Sequence, residues 1–306
     1  METLNSMFKD YIKQASSLSK SSTFITEENV YQEGAKDILP FLDRMVDELV
    51  LPGSGVDGME NLEELLDKAR SGASCLLLPE HYSNLDLSLI SRLVRVEGGH
   101  GEDIAHAIVA MAGMKLNEES PVVSAFASAY TRLIIYPSRS LIGLDAVKDK
   151  AEIIRSNAIN RAAMKTLNEI KVKTKLILVF PAGTRYRPWD PDTKQGLREI
   201  DSYIKTFDYM CPIALNGEVL HVRRGDMMED SVSQDIVRIT AGKIIPCKEF
   251  RDKVRTDVEE GRNPQTDKKQ AVADAIMAIL EEMHIKGEEQ RKKIIREGKN
   301  DYTKTP

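Results

Sequence analysis

The stretch CLLLPEHYSNLDLSLISRLVRV, residues 75–96, passes from an apolar run through a polar loop to a helical pattern. On one regular helix, two side chains five residues apart lie about 140° apart, so His81 and Asp86 cannot meet there. They converge only if His81 lies in the loop and Asp86 has entered the helix. Ser83 and Asn84 are both good N-cap residues, and apolar side chains recur with helical spacing after Asp86. The stretch therefore predicts a strand, a loop and a helix.

The same alternation continues along the chain. Short apolar runs are separated by longer helical patterns, for example over residues 146–170. Such an alternation is typical of an α/β domain. We therefore predict the α/β fold class, with a mixed sheet flanked by helices. The predicted strands lie in the runs CLLL, AIVAMAG, RLIIYP, KLILVFP, YMCPIAL and DIVRITAGKII.

The two ends of the chain differ from its centre. Apolar residues before LPGSGVDG, residues 51–58, recur at helical spacings and predict two amphipathic helices. The proline and glycines of LPGSGVDG indicate a boundary between a helical N-terminal segment, 1–58, and an α/β domain, 59–306. An apolar stripe over 272–283 should dock on this domain, and the charged final residues should be solvated.

The composition excludes several classes of protein. With 306 residues, 42% of them hydrophobic, the chain can form one large domain or a main domain with a small appendage. The net charge of -5 argues against nucleic-acid binding as the main role. Three widely spaced cysteines favour neither a disulfide framework nor a zinc site. Since no apolar stretch is long enough to span a membrane and the N-terminus lacks a targeting pattern, we expect a cytoplasmic protein.

His81 and Asp86 are the candidate catalytic pair. A carboxylate beside a histidine orients the imidazole and stabilises its protonated form, so the histidine can act as a general base. The pair is also explained by a simpler structure, in which the aspartate caps a helix and the histidine is only hydrogen-bonded. A second feature is needed to choose between the two.

Three arginines supply that feature, because they follow predicted strands, where α/β proteins usually place ligands. Arg139 follows RLIIYP, and Arg185 and Arg187 follow KLILVFP at alternate positions. If the chain is extended there, Arg185 and Arg187 point to one side and form a fork for a phosphate. Each arginine alone is also explained as a surface charge. Together with a histidine base, the three predict a substrate that carries both a hydroxyl and a phosphate.

Two motifs carry a family resemblance. HYSNLD, residues 81–86, resembles the HxxxxD motif of the glycerolipid acyltransferases, and FPAGTR, residues 180–185, resembles their second signature. A glutamate usually stands in that family at the position of Ala182. The longer run PAGTRYRPWDP is more similar to the soluble glycerol-3-phosphate acyltransferases of plastids than to the membrane-bound lysophosphatidate acyltransferases. The resemblance covers roughly residues 58 to 245.

The resemblance implies transfer of a fatty acyl group from coenzyme A or acyl carrier protein to the sn-1 hydroxyl of glycerol 3-phosphate. The family's catalytic pair maps onto His81 as the base and Asp86 as the residue that orients it. Its phosphate-binding positions map onto Arg139, Arg185 and Arg187. The plastid enzymes have a Lys-His pair where this chain has arginine and serine, and a longer helical N-terminal domain. A thioester is already activated, so this reaction calls for no metal and no cofactor.

Two other functions stay open. Acylation of 1-acyl-glycerol 3-phosphate at sn-2 uses the same base and the same phosphate-binding arginines. Its acceptor is a lipid, so the enzyme would need a membrane-facing helix. A non-catalytic lipid-binding protein of the same fold needs no base, so the presence of both His81 and Asp86 argues against that function. A hydrolase with a Ser-His-Asp set is disfavoured because the chain lacks a GxSxG elbow.

Two segments are candidates for contact with lipid. The apolar segments 108–114 and 122–130 are candidate walls of an acyl groove, or ordinary core. The charged segment 286–296 either touches an anionic membrane peripherally or forms a plain solvated helix. The expected partners are therefore glycerol 3-phosphate, an acyl thioester and, at most peripherally, a membrane surface.

Overall fold

A mixed sheet of nine strands runs through the computed structural model, which describes residues 2–19, 24–114, 121–141, 143–225 and 229–302. Parallel and antiparallel pairs both occur in it, and helices cover its two faces. The predicted fold class, α/β with a mixed sheet flanked by helices, is confirmed.

The strands are short and mostly buried. In chain order they are β1 (Tyr31–Gln32), β2 (Gly55–Asp57), β3 (Cys75–Pro79), β4 (Ile108–Gly113), β5 (Arg132–Ile135), β6 (Leu176–Leu178), β7 (Tyr209–Asn216), β8 (Leu220–His221), β9 (Ser231–Val232), β10 (Arg238–Ala241) and β11 (Ile245–Pro246). Strands β8 and β9 form a separate antiparallel pair, and the others form the main sheet.

The main sheet has a parallel centre and antiparallel flanks. Its order is β1-β5-β4-β6-β3-β7-β10-β2, and β11 pairs with β7. The five strands from β5 to β7 are parallel to one another. Strand β1 runs antiparallel to β5, and β10 runs antiparallel to β7.

Most of the helices connect these strands, and the others precede the first strand or follow the last one. They are α1 (Leu4–Met7), α2 (Lys9–Leu18), α3 (Leu39–Leu49), α4 (Met59–Arg70), α5 (Asp86–Val96), α6 (Gly101–Ala107), α7 (Pro121–Ala127), α8 (Lys150–Ile170), α9 (Ile200–Thr206), α10 (Cys247–Glu259) and α11 (Lys268–Tyr302). Two short 3₁₀ turns cover Ser138–Leu141 and Pro191–Lys194.

Strand β3 shows how the sheet separates two apolar cores. Successive strand side chains point to opposite faces, so a strand buried on both faces is apolar at every position. Cys75 and Leu77 pack in the core that includes side chains of α1 to α6. Leu76 and Leu78 pack in the other core, which includes side chains of α8 to α11. The uninterrupted apolar run CLLL follows from this double burial.

The segment 1–58 contributes strands as well as helices to this architecture. Strands β1 and β2 lie at the two ends of the main sheet order. Phe8 and Leu42 of the segment are buried in the same core as Leu77. The N-terminal segment is therefore built into the main sheet, and its separation as a domain at residue 58 stays a prediction.

The C-terminal helix α11 packs against β7 and α10. Its buried stripe includes Val272, Ile276 and Leu280, which were predicted to dock. Ile279 and Met283 are half-buried beside that stripe. The solvated or frayed end predicted for the chain falls partly on residues 303–306, which lie outside the described residues.

Parallel strands place the candidate side chains at one edge of the sheet. The carboxyl ends of β3, β4, β5 and β6 meet at the same edge, where ligands bind in many α/β proteins. His81 follows β3, Arg139 follows β5, and Arg185 and Arg187 follow β6. The topology therefore assigns all these residues to loops at that edge.

Helix α11 approaches β7 closely at Gly287. A Cβ atom added there would lie 2.1 Å from Oδ1 of the fully buried Asn216. Gly287→Ala should therefore lower the free energy of unfolding by about 1–3 kcal/mol, the usual cost of overpacking. Gly298→Ala on the same helix has no atom within 4 Å of the new Cβ and should be neutral or stabilising. Equilibrium urea unfolding measures both, and equal effects of the two changes would contradict the close approach.

Candidate functional site

His81 and Asp86 meet as the sequence predicted. His81 lies in the loop after β3, and Asp86 is the first residue of α5. Nδ1 of His81 is 2.9 Å from Oδ2 of Asp86. A carboxylate accepts hydrogen bonds, so the imidazole donates from Nδ1 and leaves Nε2 as the unprotonated nitrogen. The pair therefore has the tautomer that a general base requires.

The carboxylate of Asp86 holds the whole loop. It is 2% exposed and accepts hydrogen bonds from the backbone N–H of Tyr82 at 2.6 Å and of Ser83 at 2.9 Å. The hydroxyl of Ser83 also donates to it at 2.7 Å. Position at the start of a helix further favours a negative charge there. Four donors thus compensate the burial of the group.

The cap of α5 differs from the prediction. Leu85 is the N-cap residue, with no side-chain hydrogen bond, and neither Ser83 nor Asn84 holds that position. Ser83 Oγ instead accepts a hydrogen bond from the backbone N–H of Leu85 at 3.1 Å. The side chain of Asp86 turns back and binds the backbone N–H groups of Tyr82 and Ser83, which holds residues 82–85 in a turn ahead of the helix.

A ring contact fixes the plane of the imidazole. His81 stacks on Phe180, with 3.9 Å between ring centroids and 18° between planes. Phe180 comes two residues after β6, the neighbour of β3 in the sheet. The side chain of His81 is 17% exposed, so its base can still meet a substrate.

The chain after β6 turns back toward this loop. Gly183 has φ of 62°, and a Cβ on it would lie 2.2 Å from Cδ1 of Leu197, so only glycine fits the turn. Three residues later in the same segment, the backbone N–H of Tyr186 donates to the carbonyl oxygen of His81 at 2.8 Å. The rings of Tyr82 and Tyr186 meet edge to face at 6.1 Å. The residue between the two predicted arginines thus contacts the histidine's own backbone.

Arg185 is held by a carboxylate within the protein. Its Nη1 donates to Oδ2 of Asp230 at 2.6 Å, and the carboxylate of Asp230 is fully buried. The backbone N–H of Arg223 donates to the other oxygen of Asp230 at 2.8 Å. The backbone N–H of Leu4 donates to the carbonyl oxygen of Asp230 at 2.9 Å, which ties the N-terminus to the same place. Arg185 therefore does not extend as half of a free fork.

Arg187 and Arg139 are less constrained. Arg187 is half-buried, and its backbone N–H donates to Oγ1 of Thr193 at 2.8 Å. Among the described residues, its guanidinium has no hydrogen bond or ion pair. Arg139 is exposed on a 3₁₀ turn and likewise has no such partner within the described ranges. Three strand spacings, roughly 14 Å, separate the end of β5 from that of β3. The structure thus brings Arg185 and Arg187 to the His81 loop and leaves Arg139 farther along the edge.

A second histidine–carboxylate pair lies behind the loop. Glu80 is 5% exposed, and its Oε2 is 2.9 Å from Nδ1 of His284 on α11. The phenol of Tyr82 donates to Oε1 of Glu80 at 2.8 Å. The hydrogen bond to Glu80 raises the pKa of His284 above its ordinary value, against the opposing effect of burial. Burial raises the pKa of Tyr82, so its phenol stays a donor.

Beside Glu80 a cavity of about 360 Å³ opens between α11 and the segment after the second 3₁₀ turn. Its α11 wall presents Met277, Ala278 and Leu280, and Lys194 stands on the other side. The apolar segment 108–114, a predicted wall of an acyl groove, is instead mostly buried in β4. The cavity next to Glu80, the residue before the candidate base, therefore has an apolar wall from the C-terminal helix.

The other candidate nucleophiles are unsuited to the chemistry. Cys75, Cys211 and Cys247 are buried with free thiols, and burial raises the pKa of each to about 12. Such thiols carry almost no thiolate near neutral pH. In the described part of the chain, no three His, Cys, Asp or Glu side chains are grouped as ligands for a metal ion.

Several site residues were missed by the sequence analysis. Glu80 carries a signal, because a carboxylate that directly follows an apolar strand and precedes the candidate base is unusual. Phe180 carries a weaker signal, because it is an aromatic residue at the end of a predicted strand. Asp230 and His284 had none, since they reach the site from 45 and 204 residues away. Only the folded chain brings those two to the loop.

The two arginines should differ in their effect on stability. Arg185→Ala leaves the buried carboxylate of Asp230 without its charged partner, so it should lower the free energy of unfolding by about 3–5 kcal/mol. Arg187→Ala breaks no ion pair among the described residues and should stay within about 0.5 kcal/mol of the wild type. Urea unfolding of both variants measures the contrast. Equal destabilisation would show that Asp230 does not depend on Arg185.

None of the helices in the described part of the chain combines the length and the apolar character needed to cross a bilayer. The chain matches no protein-family model, and no curated protein has a significantly similar sequence.

Proposed function

We propose that the protein is a glycerol-3-phosphate 1-O-acyltransferase, which moves a fatty acyl group from a thioester to the sn-1 hydroxyl of glycerol 3-phosphate. One observation carries the proposal: the backbone N–H of Tyr186, between Arg185 and Arg187, donates to the carbonyl oxygen of His81. A base held by Asp86 thus lies beside a cationic segment. A hydroxyl and a phosphate on one small molecule fit that combination.

The reaction needs one proton to move twice. Nε2 of His81 takes the proton of the acceptor hydroxyl while the oxygen attacks the thioester carbonyl carbon, and a tetrahedral intermediate forms. When it collapses, the carbon–sulfur bond breaks and the imidazolium returns the proton to the leaving thiolate. Asp86 stabilises the imidazolium between these steps and keeps the ring in place. The products are the sn-1 ester and a free thiol.

The arginines divide the work of holding the phosphate. Arg187 has a guanidinium with no partner among the described residues, so it is the primary phosphate donor. Arg185 donates one of its five N–H groups to Asp230, and the others can bind a ligand. Arg139 lies farther along the sheet edge and reaches the phosphate only with an extended side chain. The resulting site recognises the phosphate chiefly through Arg187.

The acyl donor is a thioester of coenzyme A or of acyl carrier protein. A thioester is already activated, so alignment and removal of one proton suffice, and we assign no cofactor and no metal. The apolar wall of Met277, Ala278 and Leu280 beside Glu80 is a suitable surface for part of the acyl chain. We propose that the reaction takes place in the cytoplasm and, at most peripherally, at a membrane surface.

An acceptor assay separates this function from its rivals. The purified chain is offered glycerol 3-phosphate or 1-acyl-glycerol 3-phosphate, each with acyl-coenzyme A and with acyl carrier protein as donor. We expect ester formation on glycerol 3-phosphate. Acylation of the lysophospholipid alone would identify an sn-2 enzyme, and lipid binding without turnover would identify a non-catalytic protein.

Loss of the base should abolish most of the turnover. His81→Ala should lower kcat by about 100-fold or more, the usual effect of losing a positioned general base. Asp86→Asn should act on the same step but cost less, because the base itself remains. His106→Ala is the matched control, since that histidine is exposed and precedes the amino end of β4, whereas the His81 loop follows the carboxyl end of β3. Substantial turnover by a folded and pure His81→Ala variant would rule out the proposed mechanism.

Arg187 should control the affinity for the acceptor. Arg187→Ala should raise KM for glycerol 3-phosphate by roughly 10- to 100-fold with little change in kcat, because a charge-assisted bond made in both ground and transition states is lost. Arg187→Lys should recover only part, since an ammonium cannot form a bidentate fork. The preference for glycerol 3-phosphate over glycerol should narrow in the alanine variant. A selective rise in KM for the acyl donor would instead assign Arg187 to the phosphates of that donor.

A further inference from the structure

The acyl-transfer mechanism does not use a polar cluster that is built on the buried carboxylate of Glu80. It consists of Glu80, Tyr82 and His284, and it adjoins the loop that holds the base. Oε2 of Glu80 also accepts a hydrogen bond from the backbone N–H of Leu215 on β7 at 2.9 Å. The cluster thus joins β3, β7 and α11 at the carboxyl edge of the sheet.

A buried carboxylate at this place is costly unless it is compensated, and apolar side chains could fill the same volume. Glu80 receives that compensation from three donors on separate parts of the chain: Leu215, Tyr82 and His284. The backbone of His284 is itself held, because its carbonyl oxygen accepts a hydrogen bond from Nδ2 of Asn216 at 2.9 Å. Such a network fixes orientation more than it adds stability.

Tyr82 connects this network to the catalytic pair. Its phenol donates to Glu80, and its backbone N–H donates to Oδ2 of Asp86 at 2.6 Å. That same oxygen accepts the hydrogen bond from Nδ1 of His81. A rotation of the residue 82 backbone would therefore move the acceptor on which the orientation of the base depends.

We propose that His284 is a positioning residue for the base, acting through Glu80 and Tyr82 on Asp86. Its effect on turnover rests on the proposed acyl transfer, whereas its effect on the His81 ring does not. His284 touches neither reacting atom in this scheme. It lies on the C-terminal helix, so that helix becomes part of the catalytic apparatus.

The charge of His284 makes the positioning pH-dependent. Glu80 and Glu281 raise its pKa and Lys194 lowers it, while Tyr82 faces it as an uncharged phenol. Since the net shift is upward from 6.5, the stabilisation from the charged pair is fully present below pH 6.5. It is lost as the pH rises through the raised pKa. Neutral His284 still donates from Nδ1, so a hydrogen bond without the charge remains above that pH.

Two substitutions separate the charge from the hydrogen bond. His284→Asn places an amide donor near Nδ1 and does not titrate, whereas His284→Phe removes the donor. We expect His284→Phe to lower kcat by roughly 10-fold at every pH, because small misplacements of a base are expensive, with KM for glycerol 3-phosphate nearly unchanged. At acidic pH, His284→Asn should have a lower kcat and a lower thermal stability than the wild type. Above the pKa of His284, both quantities should equal those of the wild type.

His221→Phe is the matched control. The side chain of His221 is 29% exposed and pairs with Glu218, and that of His284 is 27% exposed and pairs with Glu80. His221→Phe should leave kcat and its pH profile unchanged. If folded His284→Phe keeps kcat within about twofold of the wild type at every pH, the positioning role is overturned.

A measurement on the histidine rings keeps the test independent of acyl transfer. NMR of the imidazole nitrogens reports which nitrogen of His81 carries the proton and how the ring titrates. In the wild type the Nδ1–H form should dominate, and in His284→Phe the Nε2–H form should gain population. Identical His81 signals in both proteins would overturn the positioning role. A changed tautomer in a protein without acyl transfer would instead leave this role intact and refute the proposed function.

Discussion

The buried carboxylate of Asp86 is the group on which the candidate site depends. It accepts hydrogen bonds from the imidazole of His81, two backbone N–H groups and the hydroxyl of Ser83. If the carboxylate is removed, these four donors lose their acceptor. The five-residue separation of His81 and Asp86 follows from this geometry, because the loop must close over an acceptor on the first turn of α5. The same hydrogen bonds therefore determine both the spacing of the candidate catalytic pair and the stability of the loop.

The rest of the site is arranged around that loop by hydrogen bonds to its backbone. The segment after β6 binds the carbonyl oxygen of His81 through Tyr186, and α11 reaches the loop through His284 and Glu80. Neither contact involves the nitrogen that would take the substrate proton. Parallel strand order brings the loops to one edge, but these long-range bonds decide how they face each other. A base that must act on one hydroxyl of a small molecule needs its neighbouring loops to be fixed relative to it in this way.

The parts of this structure that follow from local sequence could be predicted, and the parts that depend on distant partners could not. The run CLLL and the helical spacing after Asp86 are local patterns, so β3, the loop and α5 were predicted in their correct order. The predicted N-cap was wrong, because hydrogen bonds from the backbone N–H groups of Tyr82 and Ser83 to Asp86 hold residues 82–85 in a turn, and the helix begins only at Asp86. Strands β1 and β2 were missed, since two- and three-residue strands carry almost no periodic signal. The ion pair of Arg185 depends on Asp230, 45 residues away, and alternate spacing of two arginines contains no information about it.

Asp230 changes what the arginine pair can do. A buried carboxylate bonded to Arg185 cancels most of the positive charge that this guanidinium would offer to an anion, while it fixes the direction of the remaining N–H groups. The guanidinium of Arg187 has no such partner among the described residues and keeps its full charge for a ligand. In the proposed phosphate site, this ion pair would make binding weaker than two free arginines would, but it would orient the phosphate better. That combination suits an enzyme, because tight binding of substrate and transition state alike does not raise kcat, whereas alignment of the hydroxyl with His81 does.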